Sequence, residues 1–140
     1  MLSDTTWAWG AYFVLTVLVA EDEEGVRQLA VETLARRGYR VLSAASGEEA
    51  LKLAGACDGT IHLLISDVVM PGMKGPELAD RLRAMRPGMR VLLISGYAAG
   101  VVTPADLKEA AFLTKPFAPA ALLKAVKHIL DVPLSSAPVS

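Results

Sequence analysis

The stretch LLISDVVMPGMKG, residues 63–75, brings an almost purely aliphatic run to a single carboxylate, Asp67. More acids stand together at Glu21, Asp22 and Glu23, directly after VLVA, while a hydroxyl, Ser95, ends VLLIS and an amine, Lys115, directly follows FLT. If these groups meet, the chemistry open to them is phosphoryl transfer. Clustered carboxylates repel one another, which raises their pKa values and calls for a cation. Three acids with a backbone carbonyl and water suit Mg2+, a hard cation that prefers oxygen ligands and keeps several waters. A lysine and a serine hydroxyl beside them would complement an anionic group placed on Asp67.

Such a site forms only if the chain carries the ends of separate segments to one place. Strand-like and helix-like segments alternate along it. Residues 17–20 read as a first strand. Val26, Leu29, Ala30, Thr33 and Leu34 then share one face of a helix, with Gly38 after the basic Arg36-Arg37 turn. YRVLSA is a second strand, and Ser46-Gly47-Glu48-Glu49 has capping-box form and opens a helix through Ala50, Leu51, Leu53 and Ala54. Residues 62–66 make a third strand, aliphatic as expected where both faces are covered. Gly75-Pro76 starts a helix carried by Leu78, Ala79, Leu82 and Met85 and stopped at Pro87-Gly88. VLLIS is a fourth strand, Thr103-Pro104 caps a short helix, and FLT is a fifth strand. Residues 119–130 make the last helix, with Leu122, Leu123, Val126, Ile129 and Leu130 inward. This alternation implies an α/β, doubly wound five-stranded parallel sheet with helices on both faces. In such sheets the functional crevice lies beyond the carboxyl ends of the strands, where Glu21 to Glu23, Asp67, Ser95 and Lys115 all fall.

Composition narrows the classes further. At 140 residues, with 53% hydrophobic and 21% charged side chains, the chain fits one globular domain. Its 14 basic and 15 acidic residues give a net charge of -1, so no polycationic surface favours direct nucleic-acid or membrane binding. The single cysteine, Cys57, excludes an internal disulfide or an all-cysteine metal cage and reads as a small semi-buried residue. WAWGAYFVLTVLVA, residues 7–20, is uncharged yet falls short of the ~18 apolar residues expected of a spanning helix. A secretory signal is not expected either, because Asp4 is the only charge in residues 1–6. The expected division is an N-terminal extension over residues 1–15, a folded domain over 16–131 and a flexible tail over 132–140.

The residues in order at successive strand ends are similar to those of the receiver domains of two-component response regulators, over about residues 16–130. VLVAEDE resembles that family's acidic first-strand motif, which makes Glu21 and Asp22 metal-binding acids. ISDVVMPGMKG resembles the phosphoacceptor motif. It makes Asp67 the aspartate that takes phosphate from a histidine kinase's phosphohistidine, with the backbone carbonyl of Val69 completing the Mg2+ site. LLISGYA supplies Ser95, the switch hydroxyl. FLTKPF supplies Lys115, to pair with Asp67 and then with the phosphate, and Pro116, whose preceding bond is often cis in the family. Phe112 falls where the family keeps an aromatic switch residue. Val69 and Tyr97 fall where side chains flank the water path to the phosphoaspartate, which implies slow decay. The resemblance further implies a flavodoxin-like strand order 2-1-3-4-5, a bacterial cytoplasmic setting, and a histidine kinase or its phosphotransfer domain as donor. A downstream protein target and a homodimer through the last helix face are its other implied partners.

SGYA, AAFLTKPF and PAALLKAV look most like receivers at the C-terminus of hybrid sensor histidine kinases, so the domain is expected to be either stand-alone or part of such a kinase. Two rival classes use similar residues or the same fold. A haloacid dehalogenase-type phosphohydrolase would need a second acid at position 69, which is Val. A phosphorylation-independent interaction module would have lost Asp67, Ser95 or Lys115, and all three are present. The remaining conspicuous residues read as structural. His62 and His128 lie far from the acids, Met70, Met73, Met85 and Met89 fill gaps or loops, Gly72 and Gly75 serve the turn after Asp67, and Arg81, Arg83, Arg86 and Arg90 form a solvated face.

Overall fold

The computed structural model describes residues 14–96 and 110–131. Its strands are β1 (Thr16–Ala20), β2 (Arg40–Ala44), β3 (Leu63–Asp67), β4 (Arg90–Ser95) and β5 (Ala110–Thr114). Four helices accompany them among the described residues: α1 (Glu24–Ala35), α2 (Gly47–Ala56), α3 (Gly75–Met85) and α4 (Pro119–Asp131). The sheet runs β2-β1-β3-β4-β5 with every pairing parallel. This is the expected flavodoxin-like α/β architecture. The helix expected at Thr103-Pro104 lies outside the described residues.

Alternation along each strand divides the core in two. Leu18, Ala20, Leu64, Val91 and Leu93 face α2 and α3, packing on Ala50, Ala54, Leu78 and Leu82. Val17, Val19, Leu63, Ile65, Leu92 and Ile94 face α1 and α4, against Leu34, Leu122 and Val126. The three central strands are therefore buried on both faces, which explains why they read as unbroken aliphatic runs. Each fully buried leucine or isoleucine contributes roughly 1.5–3 kcal/mol, so the two layers pin the strand ends firmly.

Helix starts and stops follow local chemistry. Ser46 Oγ accepts from the Glu49 N–H at 3.1 Å, and Glu49 Oε1 reaches back to the Ala45 N–H at 2.7 Å, one residue beyond a standard capping box. Pro76 sits in the first turn of α3, and α1 gives way to a turn closed by Gly38 at φ 93.

Side-chain details depart from expectation at several places, and of the four arginines expected on a solvated face only Arg81 is exposed, Arg83 being half-buried. Leu29 and Met85 are 38% and 51% exposed rather than packed inward. A 3.6-residue period defines a broad stripe, and these two positions lie at its margin. Arg86 and Arg90 are half-buried rather than solvated. Arg86 donates to the carbonyls of Ala54, Cys57 and Gly59, closing the end of α2 and the loop after it, and Arg90 donates to Ile129 O near the end of α4. His62 also works structurally, its Nδ1 accepting from the Thr16 N–H at 3.0 Å.

Candidate functional site

Three loops carry the site, and the sheet ladder fixes each one immediately beyond its strand. Glu21 N–H donates to Ala44 O at 3.0 Å, Val68 N–H to Ile94 O at 2.8 Å, and Lys115 N–H to Ser95 O at 2.9 Å. The side chains of Glu21, Asp67 and Lys115 therefore leave a rigid rim. Behind Asp67 the turn closes tightly. Gly75 N–H donates to Val68 O, Ser66 Oγ donates to Asp67 O, and a Cβ on Gly75 would stand 2.3 Å from that same carbonyl oxygen. The glycine is thus needed for close approach, while Gly72, at φ 80, supplies a left-handed turn residue. The Lys115-Pro116 bond is cis, as expected.

Glu21, Asp22 and Asp67 bring carboxylate oxygens within 4.8 Å of one another. Lys115 Nζ lies 2.8 Å from Glu23 Oε1, 3.0 Å from Asp67 Oδ2 and 3.1 Å from Glu21 Oε1. The last contact is close but lacks hydrogen-bond alignment, so the buried Glu21 Oε1 has no hydrogen-bond partner. Its other oxygen accepts from the Glu23 N–H at 3.0 Å, and Arg27 braces the same loop through the Glu21 carbonyl. Burial, reinforced by the Asp67 charge, pushes the Glu21 carboxyl up to about 7, against the lowering effects of the Glu23 N–H and Lys115. Burial alone would lower Lys115, but hydrogen bonds to Glu23 and Asp67, together with the nearby Glu21 charge, outweigh it and hold the ammonium above its usual range.

These features pass the test for a hard divalent cation. The donors are all oxygens, they converge, and one buried carboxylate oxygen lacks a partner and is held in an environment that penalises its charge. Asp22, Glu23, Asp67, Val69, Ser95 and Lys115 also line a single cavity of about 610 Å³, room for a phosphoryl group and the donor that brings it.

Most of the residues singled out in the sequence meet here. Ser95 is buried at the end of β4 on the cavity wall, and Val69, 47% exposed, stands beside it. Phe112 does not reach the cavity. It sits in mid-β5 opposite Leu93, half-buried against the α2/α3 side of the core. Tyr97 lies outside the described residues. Glu23, to which the motif resemblance assigns no role, makes the shortest contact to Lys115, and its place as a third consecutive acid after β1 is the sequence signal for it.

A parallel sheet in this order with an acidic cluster and a lysine at its carboxyl rim defines a phosphoacceptor domain. The family model for the response regulator receiver domain matches residues 17–127, and the chain belongs to that family. Among curated relatives, it is 44% identical over 119 residues to the sensor kinase CckA of Brucella abortus, covering 83% of this chain and 12% of that one. It is 35% identical over 103 residues to the response regulator receiver protein CpdR of the same organism, covering 72% of this chain and 84% of that one. It spans only 24% of a third relative, the transcriptional regulator NtrC of Azospirillum brasilense. Among solved structures, the receiver domain of the hybrid histidine kinase CckA matches at 44% identity and TM-score 0.71, covering 82% of this chain and 98% of that one. The response regulator TrrA of Thermotoga maritima, solved with Mg2+ and BeF, matches at 31% identity and TM-score 0.73, covering 84% and 100%. The chain is therefore a signalling receiver whose acidic cluster is poised to coordinate Mg2+ and a phosphoryl group, and the hydrolase alternative falls. No helix among the described residues is long and apolar enough to cross a membrane.

Proposed function

We propose that Asp67 accepts the phosphoryl group from the phosphohistidine of a histidine kinase or its phosphotransfer domain. The observation that carries this assignment is the pairing of Asp67 Oδ2 with Lys115 Nζ at 3.0 Å inside the acidic cluster. An Asp67 oxygen attacks phosphorus, a P–O bond forms, the P–N bond breaks, and its electron pair stays on the imidazole. Lys115 offsets the charge that accumulates on Asp67 and orients the acceptor oxygen. Glu21, Asp22, Asp67 and the Val69 carbonyl are the groups that would hold Mg2+, which when bound supplies positive charge to the phosphoryl oxygens. Ser95 donates its hydroxyl to the phosphoryl group, and Phe112 follows it inward. Lacking a hydroxyl, Phe112 makes its contribution by packing alone. Val69 offers no hydrogen bond to hold a hydrolytic water, and with Tyr97 it makes the phosphorylated state long-lived.

The relatives support a kinase as donor, and the likeness to the CckA receiver favours service as the C-terminal receiver of a hybrid histidine kinase. A cytoplasmic setting, a downstream protein target, and pairing of two copies through α4 belong to the same reading. The test is intact-mass analysis after incubation with Mg2+ and a small phosphodonor. The parent should gain one phosphoryl group and Asp67→Asn none. Full phosphorylation of the variant, or none of the parent, overturns the assignment.

A further inference from the structure

We propose that Glu23 is a positioning residue acting through Lys115: its carboxylate competes with the phosphoryl group for the ammonium and so sets how strongly the phosphorylated state is favoured. This rests on Asp67 being the phosphoacceptor. Lys115 Nζ has three donors and three carboxylates within reach, of which Glu23 is nearest at 2.8 Å. Exposure separates the three competitors. The Glu21 and Asp67 side chains are 4% and 9% exposed, whereas that of Glu23 is 62% exposed. A phosphoryl oxygen on Asp67 must share Lys115 with these carboxylates, and it gains most from the ammonium when one of them gives way. Withdrawing the ammonium from a buried acid leaves a buried charge uncompensated, while Glu23 can turn into water at little cost.

The backbone of Glu23 does not take part in that exchange. Its N–H is held by Glu21 Oε2 at 3.0 Å, so a change at this position alters the side chain while keeping the main-chain donor that orients the buried acid. The competition is a differential contact, present before phosphorylation and lost after it, and only such a contact can move the balance between two states.

Beryllofluoride binding, measured as a midpoint at saturating Mg2+ by NMR titration, tests the proposal. Glu23→Gln should lower the midpoint by roughly two- to fivefold, the range expected for loss of an exposed ion pair. Glu23→Asp keeps the charge at the cavity mouth but withdraws it by one methylene from Lys115, and should shift the midpoint in the same direction. In a Lys115→Ala background, Glu23→Gln should change nothing further. An unchanged or raised midpoint in Glu23→Gln overturns the proposal. So does a parental midpoint in Glu23→Asp or an undiminished gain in the Lys115→Ala background, either of which assigns the effect to simple repulsion of the anion. Binding that survives Asp67→Asn undiminished is a different failure, since it removes the phosphoacceptor assignment and the competition with it.

Discussion

The two rims of the sheet handle polar groups in opposite ways. At the amino-terminal rim, partners match. His62 Nδ1 receives the Thr16 N–H, Arg86 answers three backbone carbonyls, and Arg90 answers a fourth. At the carboxyl-terminal rim, Glu21, Asp22, Glu23 and Asp67 crowd one ammonium, and a buried carboxylate oxygen is left without a hydrogen bond. Matched groups hold the fold together, whereas mismatched ones keep a site ready for a ligand at a cost in stability.

The largest effect expected from breaking this contrast lies on the matched side. Arg86→Ala takes the guanidinium from the carbonyls of Ala54, Cys57 and Gly59, leaving Ala54 O only the Cys57 N–H, and should cost about 1–3 kcal/mol in urea unfolding. Beryllofluoride affinity at the other rim should stay unchanged. If affinity falls with stability, the two rims are not independent.

On the mismatched side a substitution should do the reverse. Glu21→Gln removes a carboxylate that burial disfavours, so the metal-free protein at pH 7.5 should gain about 1 kcal/mol while losing Mg2+ affinity. Loss of stability instead would mean that the Lys115 contact outweighs burial.

The smallest and most graded effect is on pH. The folded protein holds the Glu21 proton up to about pH 7, above the ordinary carboxylate value of 4.5. Its folded pKa is raised, so this group's contribution to metal-free stability is fully present below pH 4.5 and is lost as pH rises through 7. Mg2+ binding requires the ionised form, so affinity should fall by up to about tenfold for each pH unit below 7. Calorimetric titration at pH 5.5, 6.5 and 7.5 checks both the slope and the accompanying proton release. A flat profile would show that Glu21 is ionised throughout.

Much of this was legible in the sequence because strands buried on both faces announce themselves as aliphatic runs, and whatever follows them must lie on one rim. Asp67, Ser95 and Lys115 could be placed together by that logic alone. Long side chains could not. Arg86 and Arg90 looked like solvent-facing charges because nothing local marks a carbonyl 27 to 39 residues away as their acceptor. Glu23 and Lys115 are separated by 92 residues, and only the folded sheet brings them to 2.8 Å. Leu29 and Met85 show a related limit, since a helical period gives the apolar stripe without saying where its buried part ends.

The amides that continue the ladder past each strand also bear on timescale. Glu21 and Lys115 have side chains at the working surface, and Val68 directly follows Asp67, but the N–H groups of all three are bonded to Ala44, Ile94 and Ser95 in the sheet. Their hydrogen exchange should therefore require opening of the sheet itself, in contrast to the low-stability segments from which binding loops are usually drawn. In this domain Glu21, Asp67 and Lys115 would meet an incoming phosphodonor from sheet-anchored backbone, so their side chains can rotate without the strand ends opening.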